Sequence, residues 1–342
     1  MSMKAEIETG PLSAPICLTW QITDRCNLRC VHCLAASTDK KPGELDMSQI
    51  KLFLDDLAEM RVFYINVGGG EPLLHPHFFD IADYAGEKGV YIQFSTNGTL
   101  IDGTIAAEVA KRGLRVQVSL DGWEQAVNDP IRGVGTFHKV VRAIELLRKK
   151  NIRVSVNCVV TKSAVPGLDE LYRLAASFDA RLRLSRLRPS GRAGECWRDL
   201  APSREQYFQL FQWLKRHPDV TTGDSFFFLS ALGEPLPGLS QCGAGKLTCS
   251  VDSHGFVYPC PFTADPALAV GNIKEQPLSR LWQESGLFKQ LRQQKPGSCT
   301  SCDSFGKCRG GCRGAAYLVY KDWSRSDPEC MRRESDGAVS IQ

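Results

Sequence analysis

Fourteen of the 342 residues are cysteine, and where they fall limits the chain more than any other feature. Cys26, Cys30 and Cys33 crowd together near the start, and eight more lie between positions 242 and 330. Cys17 and Cys158 sit in strand-like runs, and Cys196 has no assignment. The opening residues carry neither the basic nor the apolar region of a secretory signal, and no run of eighteen apolar residues occurs. A cytoplasmic protein is therefore expected. Thiols stay reduced there, so metal binding is favoured over a disulfide framework. Lys and Arg total 42 against 38 Asp and Glu, a formal charge of +4. That balance gives no reason to expect nucleic acid or a membrane surface as partner.

From residue 15 to 187 short apolar runs alternate with helical patterns. The spacing predicts strands at 16–23, 62–67, 90–96, 114–120, 152–161 and 181–187. Helices are predicted at 48–60, 76–88, 102–112, 136–150 and 166–178, the fourth with Val140, Val141, Ile144 and Leu147 at helical spacing. Six strands alternating with helices imply an α/β chain with a parallel sheet. Strand count does not decide between an open, doubly wound sheet and part of a barrel. The strands lean toward the barrel: Gln93, Ser95 and Asn97 interleave with Ile92 and Phe94, and Gln117, Ser119 and Asp121 with Val116, Val118 and Leu120. A complete barrel fills its lumen with branched apolar side chains, whereas a polar inner row leaves a cavity for a polar ligand. The same rows could instead lie at a solvent-facing edge. The expected architecture is a partial (β/α)6 TIM-like barrel over residues 15–220, ending in a helix at 203–217 and preceded by a flexible stretch, 1–14. A cysteine-rich domain follows at 221–335, then a tail, 336–342. That domain has little apolar periodicity outside 278–291 and needs metals to hold it together.

The stretch Cys26-Asn-Leu-Arg-Cys30-Val-His-Cys33 places three thiolates in a short loop after the first strand. Three ligands leave one iron of a four-iron cubane without a protein partner, open to a bound small molecule. A zinc site completed by His32 is the plain alternative, although His32 lies between two ligands on a tight loop. The spacing resembles the CxxxCxxC signature of the radical SAM superfamily, whose cluster cleaves S-adenosylmethionine (SAM). There the residue before the last cysteine is usually aromatic; here it is His32. Gly68-Gly-Gly-Glu71, after the second strand, resembles the superfamily's GGE motif, which implies that Gly69, Gly70 and Glu71 hold the methionine ammonium. The resemblance further implies that Asn97, Ser119 and Arg132 contact the ribose and the methionine carboxylate. Any one of these could be ordinary turn chemistry. Together they fall at or just beyond successive strand C-termini, the face on which such folds build sites.

Cys242, Cys249, Cys260, Cys299, Cys302, Cys308, Cys312 and Cys330 supply eight thiolates, enough for two four-iron clusters or two zinc sites. Their pattern resembles the SPASM domain of peptide-modifying radical SAM enzymes. That resemblance implies three [4Fe-4S] clusters in all: the SAM-binding one, an inner auxiliary cluster on Cys242, Cys249, Cys260 and Cys312, and an outer one on Cys299, Cys302, Cys308 and Cys330. The spacing from Cys242 through Gly255 to Cys260 meets the family motif without Cys249, so a Cys249 outside the set would leave an open iron.

Residues 63–72, 94–98, 183–192, 222–227 and 236–245 are similar to the mycofactocin maturase family, and the resemblance runs from residue 18 to 330. It implies a maturase of a ribosomally made precursor peptide that oxidatively decarboxylates a C-terminal Tyr and cross-links Val to the resulting tyramine. The implied partners are the precursor peptide, an external electron donor and a separate small peptide-recognition chaperone, because little sequence precedes the first strand. Arg186 or Arg188, at the end of the sixth strand, is expected to clamp the peptide's C-terminal carboxylate. Asp224 is a further candidate polar site residue. Other readings are a different SPASM peptide-modifying enzyme (quinone-cofactor precursor cross-linking, thioether formation or sulfatase maturation) and a non-catalytic iron–sulfur electron-transfer or scaffold protein.

Overall fold

In the strands, every second side chain is apolar and must be covered. A computed structural model, which describes residues 12–38, 42–222, 226–233 and 241–332, shows how this is achieved. Trp20, Ile65, Phe94, Val118, Val156 and Leu184 are at most 1% exposed and share one core with the inward faces of the helices. Val140, Ile144 and Leu147, at helical spacing, are fully buried in that core. Helix starts are set locally: Asp46 and Gln49 form a reciprocal cap, Ser203 and Gln206 another, and Asp102 caps Ile105.

The elements run β1 (Cys17–Thr23), α1 (Met47–Glu59), β2 (Tyr64–Gly69), α2 (Phe78–Glu87), β3 (Ile92–Thr96), α3 (Gly103–Lys111), β4 (Arg115–Ser119), α4 (Gln125–Arg132), α5 (Thr136–Lys149), β5 (Val154–Val160), α6 (Leu168–Ser177) and β6 (Arg181–Arg186). Then come α7 (Ala193–Leu200), α8 (Arg204–Arg216), β7 (Thr248–Val251), β8 (Phe256–Tyr258), β9 (Gly271–Asn272), α9 (Leu278–Glu284), α10 (Gly286–Gln293), α11 (Phe305–Cys308) and α12 (Arg313–Tyr320). All six expected strands form and pair in parallel, in chain order. The sheet order is β6-β5-β4-β3-β2-β1-β7-β8-β9, so β6 and β9 are edges and the barrel is partial. The cysteine-rich segment extends this sheet: β7 pairs parallel to β1, and β8 and β9 follow antiparallel.

The polar rows face the inside of the curved sheet. Ser95 Oγ donates to Asn66 Oδ1 at 3.1 Å and accepts from Gln117 Nε2 at 3.0 Å, joining three strands. On β5 and β6, Ser185 Oγ donates to Asn157 Oδ1 at 2.7 Å and accepts from Arg183 Nη1 at 2.9 Å. Gln117 and Asn157 are each 7% exposed, which removes the solvent-edge alternative for these strands.

The end of β2 is threaded through the start of the cysteine loop. Gly70 N–H donates to Thr23 O at 2.7 Å and Glu71 N–H to Arg25 O at 2.7 Å. A Cβ on Gly70 would stand 1.9 Å from Arg25 O, and one on Gly69, where φ is +116°, would stand 2.7 Å from Thr23 O. Gly68 would meet nothing within 4 Å. Gly70→Ala is therefore expected to cost about 3 kcal/mol or more of unfolding free energy in denaturant titration, and Gly68→Ala about 0.5 kcal/mol or less. Equal effects would show that the close approach is unimportant.

Candidate cofactor and cluster sites

The three N-terminal thiols stand at the C-terminal end of the barrel strands, in a loop clasped from several sides. Cys26 N–H donates to Thr38 O at 2.9 Å, closing the loop on itself, and Val31 N–H donates to Ile131 O at 3.0 Å. Arg192 reaches in from the segment after β6, with Nε on Cys30 O at 2.9 Å and Nη1 on Ser37 O at 3.0 Å. Burial pushes the Cys26 thiol up to about 11, and Glu71, Cys30 and Cys33 add to the shift. Iron bound to these thiolates would offset the penalty that burial and its neighbours place on Cys26, which suits the three to act as ligands. His32 does not join them. Its Nε2 lies 2.6 Å from Asp121 Oδ2, so that nitrogen is taken by the carboxylate.

Glu71 is fully buried. Its Oε1 accepts from Thr96 Oγ1 at 2.7 Å and from Leu73 N–H at 3.3 Å, and its Oε2 from Asn97 N–H at 2.8 Å. Burial raises its carboxyl to about 7, against the pull of these three hydrogen bonds. Glu71 thus fastens the end of β2 to the end of β3, a role not evident from the motif. Asn97 extends the fastening to the cysteine loop, its Nδ2 donating to Asn27 Oδ1 at 2.8 Å and lying 4.0 Å from Cys26 Sγ. Ser119 ends β4 opposite Asn157, half-buried on the lumen side. Arg132, the last residue of α4, is 7% exposed, with Nε 2.7 Å from Asp121 Oδ2. Gly69, Gly70, Glu71, Asn97 and Ser119 thus lie at the C-terminal ends of β2, β3 and β4, and Arg132 at the end of α4.

The C-terminal thiols sort into two groups. Cys242 packs against Cys312, and burial together with Cys312 and Cys260 raises its thiol. The Cys312 thiol is held low by Cys242 and by the nearby Arg188 and Arg186, burial notwithstanding. Cys308, raised chiefly by burial, feels Cys330, Cys299 and Cys302. Cys249 belongs to neither group, which corrects its assignment to the inner cluster. It pairs with Leu18 across β7 and β1, and strand alternation turns it toward the helix-covered core, where it is 0% exposed. Burial raises its thiol, and the charged neighbours it feels are Cys17 and Arg292.

Two further expectations are corrected. Arg186 is not available as a peptide clamp: its Nη1 and Nη2 bind Asp327 Oδ2 and Oδ1 at 2.7 and 2.6 Å, and its Nε binds Glu329. Arg188 turns toward the inner thiols, with Nε 3.3 Å from Cys312 Sγ and its guanidinium 4.0 Å above the Phe262 ring. Arg183, on the opposite face of β6 from Arg186, reaches the lumen pair Asn157 and Ser185. Asp224 lies outside the described residues. Of the two buried acids on which these networks close, Asp121 was marked only as a member of the β4 polar row and Asp327 by no motif. In anaerobically reconstituted protein, Cys260→Ala should lower iron and sulfide per chain, whereas Cys249→Ala should leave both within about a tenth of wild type. A Cys249→Ala loss equal to that of Cys260→Ala would restore Cys249 to the ligand set.

Residues 20–173 match the radical SAM superfamily and residues 242–304 match an iron–sulfur cluster-binding domain, SPASM. The mycofactocin maturase MftC of Mycolicibacterium smegmatis is 46% identical over 98% of this chain and 87% of its own length. That of Mycobacterium tuberculosis is 44% identical over 98% and 87%. Among solved structures, SuiB of Streptococcus suis bound to S-adenosylmethionine superposes with a TM-score of 0.73 at 19% identity, covering 93% of this chain and 77% of that one. The protein anSMEcpe with bound AdoMet and a peptide gives 0.72 at 22%, covering 93% and 94%. These two establish the shared fold, and the sequence relatives establish the rest: the chain belongs to the mycofactocin maturase family of radical SAM enzymes with a SPASM domain.

Proposed function

We propose that this maturase oxidatively decarboxylates the C-terminal Tyr of a precursor peptide and then joins a Val side chain to the resulting tyramine. The observation that carries the reading is 46% identity to a mycofactocin maturase across 98% of the chain, together with the three-thiol loop locked to the Gly70–Glu71 turn at a polar-lined mouth. Cys26, Cys30 and Cys33 would hold the cluster that binds SAM, and Gly69, Gly70, Glu71, Asn97, Ser119 and Arg132 would hold SAM itself. Cluster and cofactor together supply a 5′-deoxyadenosyl radical able to take hydrogen from the tyrosine Cβ, after which carbon dioxide and one electron leave. What the chain contributes is placement and exclusion of water. The lumen rows Asn66–Ser95–Gln117 and Asn157–Ser185–Arg183 present polar groups where the peptide end would lie. Cys242, Cys260 and Cys312 would hold an inner auxiliary cluster and Cys299, Cys302, Cys308 and Cys330 an outer one, giving three clusters and a route for the departing electron.

A separate small peptide-recognition chaperone and an external electron donor complete the reading. Anaerobic incubation of the reconstituted protein with SAM, a reductant, that chaperone and a peptide ending in Val-Tyr tests it by mass. The peptide should lose carbon dioxide and two hydrogens, with 5′-deoxyadenosine formed and turnover dependent on the chaperone. A product that keeps its carboxyl carbon would instead point to a different SPASM chemistry, and a chain that binds clusters but makes no 5′-deoxyadenosine would be an electron carrier.

A further inference from the structure

Behind the cysteine loop the buried polar groups converge on one side chain. Asp121 follows β4 and has no exposed surface. Its Oδ2 lies 2.6 Å from His32 Nε2, on the cysteine loop, and 2.7 Å from Arg132 Nε, at the end of α4. Its Oδ1 accepts from Val159 N–H of β5 at 2.8 Å, and its own N–H donates to Asn128 Oδ1 at 3.0 Å. One residue therefore joins the loop that carries the thiols, two strands and the helix that carries the arginine. A carboxylate so far from water is tolerable only when its oxygens are matched by donors. Here burial by itself would raise the carboxyl, and Arg132 and His32 override it and hold the group well below the ordinary carboxylate range. Arg132 stands against Oδ2 through Nε as a buried ion pair without hydrogen-bond geometry, so charge rather than a directed bond holds the guanidinium beside the carboxylate.

The arrangement is asymmetric in a useful way. His32 and Arg132 share the same oxygen. The carboxylate is oriented by the loop on one side and orients the guanidinium on the other, so the aim of the arginine depends on the loop being in place. Resting on the reading that Arg132 binds the methionine carboxylate of SAM, we infer that Asp121 is a positioning residue for the cofactor: it sets the Arg132 guanidinium and, through His32, makes that setting conditional on the folded cysteine loop. This also gives a reason for a histidine before the last cysteine, since a phenyl ring could fill the same space but could not donate to Asp121.

SAM affinity, measured by equilibrium binding on anaerobically reconstituted protein with iron content read on the same samples, tests the inference. Asp121→Asn should weaken SAM binding about tenfold, the loss of one buried ion pair, and Arg132→Lys comparably. Because the aspartate acts through the arginine, the double substitution should bind SAM no more than about threefold worse than the weaker single one. A general loss of structure would instead multiply the two effects. His32→Gln, whose amide nitrogen can stand where Nε2 stands, should bind within about threefold of wild type, and His32→Phe about five- to tenfold worse. Wild-type affinity in Asp121→Asn, multiplied effects in the double variant, or equal affinity in the two His32 variants would overturn the inference. Unchanged affinity in Arg132→Lys would overturn the assignment of Arg132 on which it rests, and the inference with it. Should Asp121→Asn fail to accumulate as folded protein, the His32 pair decides the matter unaided.

Discussion

Two backbone hydrogen bonds, Gly70 N–H to Thr23 O and Glu71 N–H to Arg25 O, determine where the N-terminal thiols stand. A loop that must present three cysteines to one cluster has little apolar surface with which to hold itself, so its neighbours have to supply the order. The second strand does so by running into the loop's first residues, at a separation only glycine allows. Glu71 then carries the constraint sideways to Thr96 and Asn97, and Asn97 returns it to Asn27 between the first two cysteines. The ligand loop and the ends of β2 and β3 thereby become one rigid rim, the condition under which a bound cofactor meets its contacts without reorganisation.

A second constraint fixes the cysteine-rich segment to the barrel. That segment sends Val251, Val257, Leu278, Leu281, Trp282 and Phe288 into the barrel core, and its separate clusters, such as Tyr258, Leu268, Leu291 and Trp323, are too small to order it by themselves. It is attached by sheet continuity through β7 and by a buried ion cluster. Asp327 takes the Arg186 guanidinium on one side and the Cys312 N–H on the other, at 2.7 Å, and Glu329 receives both Arg186 and Tyr207. Removing one partner from such a cluster leaves a charge stranded, at a cost of about 3–5 kcal/mol. Asp327 also precedes Cys330, whose N–H donates to its carbonyl at 3.1 Å. The same residue thus sets an inner thiol and an outer thiol against the end of β6.

How much of this was legible beforehand followed the range of the interactions. Strand and helix alternation, the CxxxCxxC loop and the glycine turn are local patterns, and all were readable. The polar rows were readable as alternation, but lumen and edge look alike along one strand, and only the bonds between neighbouring strands separate them. Parity explains the arginines: Arg183 and Arg186 occupy opposite faces of β6, and Arg186 finds its partner 141 residues away, beyond any spacing argument. Cys249 was misplaced for a related reason. Its direction follows from the register of β7 against β1, and β7 is only four residues long, too short for periodicity to reveal. Short α4 was hidden as well, with Pro130 inside it, and with it the route from His32 through Asp121 to Arg132.

All of the chemistry assigned to the chain depends on a cubane at Cys26, Cys30 and Cys33 with one iron reserved for SAM. The electron paramagnetic resonance spectrum of the reduced, anaerobically reconstituted protein, recorded before and after addition of SAM and set against Cys26→Ala, addresses this most directly. A reduced four-iron signal that shifts when SAM is added, and that is missing from the variant, is the predicted result. A spectrum indifferent to SAM, or identical in Cys26→Ala, would contradict it.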